Sequence, residues 1–157
     1  MGSETEETGQ ILRKRRMTLA LAESCTGGGL GEMITSVPGS SDFFLGGAIV
    51  YSDSAKESVL GVRRSTLERY GAVSAEAASE MAEGARSIFG ADIAVAITGI
   101  AGPGGATEGK PVGLVYTAVS FRGRTDTREH RFAGDRAGIR RMSAESALLH
   151  IRSALDY

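Results

Sequence analysis

An apolar run from Met17 to Leu21 passes through Ala22-Glu23-Ser24-Cys25-Thr26-Gly27-Gly28-Gly29 into a stretch where Leu30, Met33, Ile34 and Val37 recur at helical spacing. A short buried strand over Thr18–Ala22, followed at once by a helix that stops before Pro38, is the repeating unit of sheets flanked by helices. The junction holds a hydroxyl and a thiol beside backbone N–H groups that have no intrahelical partner. A helix start of this kind attracts anions and lowers the pKa of a nearby nucleophile. Three consecutive glycines let another group approach the backbone closely.

The rest of the chain repeats the pattern. Phe43–Tyr51 is rich in apolar, β-branched and aromatic residues and reads as a second strand. Ser52–Leu60 reads as a short helix with a serine N-cap and Gly61 after it. Ser65–Tyr70 is a further helical turn or two, ended by Gly71. Ser74 caps an amphipathic helix with Ala78, Met81, Ala82, Ala85 and Ile88 on one face. Asp92–Ile97 is a third strand, Val112–Phe121 a fourth and Thr125–Phe132 a fifth. The short link Arg122-Gly123-Arg124 makes the last two antiparallel. Asp135 opens the final helix, with an apolar stripe at Ala144, Ala147, Leu148, Ile151 and Leu155. The expected architecture is an α/β fold, a three-layer α/β/α sandwich around a mixed, mainly parallel five-stranded sheet. Residues 1–9 are polar and expected to form a flexible N-terminal tail, with Gln10–Arg16 closing a first helix and residues 10–157 making a single domain.

Composition narrows the function classes. Of 157 residues, 41% are hydrophobic and 24% charged, as in an ordinary soluble domain. No apolar run approaches the roughly 20 residues that cross a bilayer, so no membrane partner is expected. The acidic start lacks a signal peptide's apolar core, which makes a cytoplasmic location the expectation. Cys25 is the only cysteine, which excludes an internal disulfide and suits a reducing compartment. A net charge of −1 supplies no field for nucleic acid, and acidic residues offset the run Arg13-Lys14-Arg15-Arg16. His130 and His150 lie far from each other and from Cys25 in the sequence, with no metal-ligand spacing, so no metal is expected. The 22 glycines cluster at 27–31, 46–47 and 99–113, which indicates shaped loops and not a linker.

Three strands end in polar residues: Glu23, Ser24 and Cys25; Tyr51 and Ser52; Thr98 and Gly99. If these strands are parallel, their ends share the carboxyl rim of the sheet, where open α/β sheets bind ligands. Lys56 falls in the first turns of the helix after Tyr51, above the same rim. Arg136 and Arg140, four apart on the final helix, offer a phosphate clamp. Gly102, Gly104 and Gly105 add backbone N–H groups that cradle anions.

The chemistry that follows is nucleophilic. Ser24 needs a base, and no histidine lies in these loops, which disfavours a Ser–His–Asp arrangement. Lys56, with Tyr51 relaying or positioning a proton, is the available base once burial lowers its pKa. N–H groups from Cys25 to Gly28 would serve as an oxyanion hole, with Thr26, Gly27 and Gly28 against the substrate. Each residue also has a plainer reading. Ser24 or Thr26 reads equally as a helix cap, Cys25 as a core filler and Tyr51 as a core or interface residue. Lys56 reads as a solvated helix residue, and the two arginines as surface partners of Glu129 or Asp135. A nucleotide-binding module without catalysis is the alternative function.

The motifs Glu23-Ser24-Cys25-Thr26-Gly27-Gly28, Tyr51-Ser52 with Lys56, Gly71-Ala72-Val73-Ser74, Thr98-Gly99-Ile100-Ala101-Gly102-Pro103, Lys110-Pro111-Val112-Gly113 and Phe132-Ala133-Gly134-Asp135-Arg136 come in one order. Together they resemble the C-terminal domain of the CinA family, whose stand-alone form is nicotinamide-nucleotide amidase. The resemblance runs from about Ile11 to Leu155. It implies hydrolysis of the carboxamide of nicotinamide mononucleotide to nicotinate mononucleotide and ammonia, without metal or cofactor, by a protein that self-associates. It matches Ser24 to the nucleophile, Lys56 and Tyr51 to the activating pair, and Thr98 to an active-site hydroxyl. It matches Arg136 or Arg140 to a phosphate or substrate contact; Gly99 at the third strand's end and Gly102 in the glycine loop are expected against substrate from their place on the rim. Ser52-Asp53-Ser54 stands where the family often has asparagine, and Leu114 where threonine is frequent. The separate activity of the larger N-terminal domain of full-length CinA proteins is not expected from these motifs.

Overall fold

Alternation along the two central strands sorts the core into two unlike halves. A computed structural model describes residues 2–156. In β1 (Leu19–Glu23) and β3 (Ile93–Gly99), Leu19, Leu21, Ile93, Val95 and Ile97 point to one face of the sheet. Ala20, Ala22, Ala94 and Ala96 point to the other, because successive strand side chains project to opposite faces. The branched face is covered by α1 (Gly2–Lys14), α2 (Gly29–Thr35) and α6 (Arg136–Leu155). The alanine face is covered by α3 (Asp53–Leu60), α4 (Arg64–Tyr70) and α5 (Ala75–Phe89). Small residues on both sides let α5, with Ala77, Ala78, Ala82 and Ala85 buried, lie close to the strands. Gly84 takes the closeness to its limit: a Cβ there would stand 2.0 Å from the carbonyl oxygen of Leu60, the last residue of α3.

The sheet order is β2-β1-β3-β4-β5, with β2 at Phe44–Ile49, β4 at Leu114–Phe121 and β5 at Arg124–Arg131. β1 runs parallel to β2 and β3, β4 antiparallel to β3, and β5 antiparallel to β4. β4 is therefore the one strand against the common direction, and the result is the expected three-layer sandwich with a mixed five-stranded sheet. Glu23 is level with Ile49 on one side and Ile97 on the other, so the carboxyl ends of the first three strands share a rim. Serine and aspartate caps start the helices where expected. Ser52 Oγ accepts from Ala55 N at 3.1 Å, Ser74 Oγ from Ala77 N at 3.1 Å and Asp135 Oδ1 from Gly138 N at 2.8 Å. Each such cap stabilises its helix by about 1 kcal/mol.

Two expectations fail. Residues 2–9 are not a tail but the first turns of α1, with Thr5, Thr8 and Leu12 buried at helical spacing. Thr8 Oγ1 donates to Glu4 O at 2.7 Å, and Arg152 pairs with Glu7 at 2.8 Å. Within residues 2–9 the buried positions are Thr5, Thr8 and Gly9, so apolarity gave no signal for these turns. Met1 of that expected tail, and Tyr157, lie outside the described residues. On α5, Ile88 is not on the buried face but 55% exposed, near the helix end. Among the described residues no helix is long and apolar enough to cross a membrane.

Candidate functional site

The turn after β1 is braced from two sides. The buried carboxylate of Glu23 accepts from Thr26 Oγ1 at 2.6 Å, Leu30 N at 2.9 Å and Gly31 N at 3.0 Å. The free donors of the α2 start are thus taken by the protein's own anion, which removes the reason for an external anion to bind there. Arg140 reaches the turn from α6, donating from Nε to Cys25 O at 3.1 Å and from Nη2 to Thr26 O at 3.0 Å. Within the turn, Ser24 N donates to Ile97 O and Gly27 N to Ser24 O, both at 3.1 Å.

Lys56 is the largest fully buried side chain outside the apolar set, only 1% exposed. Its Nζ donates to Ser24 Oγ at 3.1 Å and to the carbonyls of Val50 and Tyr51 at 3.0 Å each. None of these acceptors carries a charge. Burial pushes the amine below the usual lysine value, while the Asp53 carboxylate and the Cys25 thiol act the other way. When the amine is neutral, its lone pair can receive the Ser24 proton and the hydrogen bond reverses. Cys25 is buried, which pushes its thiol up to about 11 and keeps it protonated, a poor nucleophile beside Ser24.

Ser24, Cys25, Lys56, Thr98 and Arg136 line one cavity of about 440 Å³. Its walls are Ala72-Val73 on one side and residues 99–105 on the other. Gly102 has φ near 80° and stands where a Cβ would fall 2.4 Å from Val112, so the loop closes on itself only with glycine there. Arg136 spans the mouth, donating from Nη1 to Gly102 O at 2.7 Å and from Nη2 to Tyr51 Oη at 3.3 Å. Thr98 is 1% exposed, and its hydroxyl donates to Ala72 O at 2.8 Å.

The structure thus brings Ser24, Lys56, Tyr51, Thr98, Gly99, Gly102 and Arg136 to one place. It does not bring Thr26, Gly27, Gly28 or Arg140 into the cavity lining. Thr26 is 1% exposed and spends its hydroxyl on Glu23; Gly27 and Gly28 turn under α2; Arg140 spends its guanidinium on the turn. Tyr51 is not a proton partner of Lys56, because the lysine meets its main-chain oxygen while the phenol, on a side chain 64% exposed, meets Arg136. The role of Glu23 was missed, although an acidic residue just before a glycine-led helix start was the signal for it.

A second polar cluster lies under the sheet's other half. Thr117 Oγ1 is 3.0 Å from His130 Nε2 and 2.8 Å from His150 Nδ1, and His150 Nε2 is 2.8 Å from Asp126 Oδ2. The two histidines, distant in sequence, thus share one hydroxyl. With Asp126 ionised, His150 Nε2 donates to it, Thr117 donates to His150 Nδ1, and His130 Nε2 donates to Thr117. Thr117 is 0% and His150 1% exposed, and unlike Thr98 neither lines the Ser24 cavity or the neighbouring groove. A wide groove of about 980 Å³ passes near, lined by Arg124, Thr125, Asp126, Arg128 and Ser153; there Thr125 donates its hydroxyl to Glu83 at 2.9 Å and Ser153 accepts from Arg128 at 2.7 Å. Among the described residues no group of three or more His, Cys, Asp or Glu side chains is placed to hold a metal ion.

The CinA C-terminal domain family matches residues 2–155. A putative competence-damage inducible protein of Moorella thermoacetica is 54% identical over 141 residues, 90% of this chain and 34% of that protein. A CinA-like protein of Thermotoga maritima is 48% identical over 146 residues, 93% of this chain and 36% of that protein. The chain therefore spans about a third of the length of these relatives. The crystal structure of the competence damage-inducible protein A from Klebsiella pneumoniae superposes with a TM-score of 0.96 at 38% identity, covering 99% of this chain and 97% of that one. The competence/damage inducible protein from Agrobacterium tumefaciens gives 0.95 at 37%, covering 99% and 95%.

Proposed function

The chain belongs to the CinA C-terminal domain family, and from that premise we propose that it is a nicotinamide-nucleotide amidase. The reaction converts nicotinamide mononucleotide and water to nicotinate mononucleotide and ammonia through a serine nucleophile. The observation that carries this reading is the buried Lys56 Nζ, 3.1 Å from Ser24 Oγ at the head of the cavity. A buried lysine held among neutral acceptors is a base matched to activating a hydroxyl.

In the proposed sequence, neutral Lys56 takes the Ser24 proton as Oγ attacks the carboxamide carbon. The tetrahedral intermediate collapses as Lys56 returns that proton to the leaving nitrogen, releasing ammonia and leaving an acyl ester on Ser24. A water molecule, deprotonated by Lys56, then attacks the ester carbon, and Lys56 returns that proton to Ser24 Oγ as the acid leaves. The carbonyl oxygen's developing charge is met by backbone N–H at Cys25, the turn residue that lines the cavity. Arg136 at the mouth is the phosphate contact, since it lines the cavity and Arg140 does not. Gly99 and Gly102 shape the wall that lies along the substrate. The reaction uses no metal or organic cofactor in this scheme. The chain's composition supports a cytoplasmic setting, and the family resemblance supports a homo-oligomer, as parts of the same proposal.

The test is ammonia release from nicotinamide mononucleotide by purified protein. Ser24→Ala should lower kcat by about 10⁴-fold or more while the nucleotide still binds. Full turnover in that variant refutes the assignment of the nucleophile.

A further inference from the structure

β1 and β3 deliver Ser24 and Thr98 side by side. Glu23 pairs with Ile97 in the register, Ser24 N bonds Ile97 O, and the next residue up each strand carries a hydroxyl into the cavity lining. The two hydroxyls differ in what they have left to offer. Ser24 Oγ accepts from Lys56 and keeps its proton to give. Thr98 has already given its proton to Ala72 O at 2.8 Å. No other hydrogen bond to Ala72 O is made among the described residues, so turning the Thr98 hydroxyl elsewhere would orphan a carbonyl in the cavity wall. What remains on Thr98 Oγ1 is acceptor capacity alone.

The other polar side chains that line the cavity still have protons to give: Arg136 donates from its guanidinium, Tyr51 Oη accepts from Arg136 and keeps its own proton, and the Cys25 thiol is protonated. Lys56 turns its N–H bonds to Ser24 and to main-chain carbonyls. An acceptor set among donors reads one difference between substrate and product. A primary carboxamide carries two N–H bonds, whereas a carboxylate carries none. We propose that Thr98 is the residue that selects carboxamide over carboxylate, accepting a hydrogen bond from the amide nitrogen and repelling the acid product. This inference rests on the amidase reading and adds to it which atom senses the leaving group. The bond persists as the nitrogen departs, because ammonia keeps N–H bonds to give. Once the acid has formed, a carboxylate oxygen faces the Thr98 lone pairs and the product leaves.

The experiment compares binding of nicotinamide mononucleotide and nicotinate mononucleotide by calorimetry in a Ser24→Ala background, with and without Thr98→Val. The amide-over-acid preference should fall about tenfold with valine, the size of one hydrogen bond in a closed site. Thr98→Ser, which keeps the hydroxyl, should restore it. In the active enzyme Thr98→Val should strengthen inhibition by the acid product by a similar factor, which loss of packing alone would not do. If the valine variant does not fold, Thr98→Cys keeps the shape with a much weaker acceptor and must show the same loss. An unchanged preference with turnover intact overturns the role of Thr98 and leaves the amidase standing. A Thr98-dependent preference in a protein that never releases ammonia overturns the amidase reading and leaves the selectivity. Binding of neither nucleotide overturns both.

Discussion

Two hydroxyls in this molecule sit beside nitrogen bases, and only one of them is placed to react. Ser24 meets the amine of Lys56 at 3.1 Å on the rim of a cavity. Thr117 meets His150 at 2.8 Å, and His150 meets Asp126 at 2.8 Å, the order of groups found in a hydrolytic triad. By donor set alone the second cluster looks the more catalytic. Access reverses that ranking: Thr117 is fully buried in a central position of β4, whereas Ser24 borders open space. A nucleophile is defined by what can reach it as much as by the base beside it. In the first cluster the imperfect satisfaction of Lys56 by neutral partners leaves a proton to move. In the second the buried Thr117 hydroxyl and both ring nitrogens of His150 have complementary partners, which is how a core keeps polar groups at low cost.

The contrast can be broken most directly at the bases. Lys56→Met should lower kcat by about 10³-fold, whereas His150→Gln should leave turnover within about twofold. In the wild-type protein kcat/KM should rise with pH along a limb that lies below the usual lysine value, because burial lowers the Lys56 amine and its neutral form is the base. A steady-state profile from pH 6 to 10 checks both; a large loss in the histidine variant would overturn the comparison. At the hydroxyls the effects move from rate to stability. Thr117→Val leaves His150 Nδ1 and His130 Nε2 facing a methyl group and should destabilise the fold by about 1–3 kcal/mol with turnover nearly unchanged. Urea unfolding with a parallel activity assay reads the two separately.

The smallest effect concerns protons on the second cluster. Burial lowers both His130 and His150; the Arg128 charge adds to it in each, and the Asp126 carboxylate opposes it at His150. The folded state therefore binds fewer protons than the unfolded chain below the usual histidine range. Stability from these groups is full above pH about 6.5 and declines as pH falls through their folded values. The urea midpoint should drop between pH 7.5 and 5.5, and His150→Gln should flatten part of that slope. An identical slope in the variant would place the effect elsewhere.

Much of the architecture was legible because its signals are local. The Ser52, Ser74 and Asp135 caps, the Gly61 stop and the polar strand ends each depend on a few adjacent residues. The convergence of Ser24, Lys56 and Thr98 followed from parallel strands sharing a rim, a geometric rule that needs no contacts. What escaped was long-range. α1 hides its stripe in threonines, whose burial shows only against α2 and α6. Arg136 and Arg140 share a helix face but stand about 6 Å apart along the axis, enough for one to reach the mouth and the other to brace a turn. The meeting of His130 and His150 at Thr117 joins β5, α6 and β4, which no spacing in the chain encodes. Tyr51 was read by its ring, whereas the atom that meets Lys56 belongs to its backbone.

Gly84 carries a consequence for how such a chain can drift. In the interior of a fifteen-residue helix, alanine would ordinarily be the better residue by about 1 kcal/mol. Here the missing methyl is the space in which Leu60 ends the helix that carries Lys56. Adding it pushes that helix outward, and the amine moves with it, away from a hydroxyl it must meet within a hydrogen bond's length. The reach of a chemical group is thus set by an atom that is not there, on an element that lines no part of the cavity. A survey for stabilising substitutions would choose this position first and lose the proton transfer by doing so.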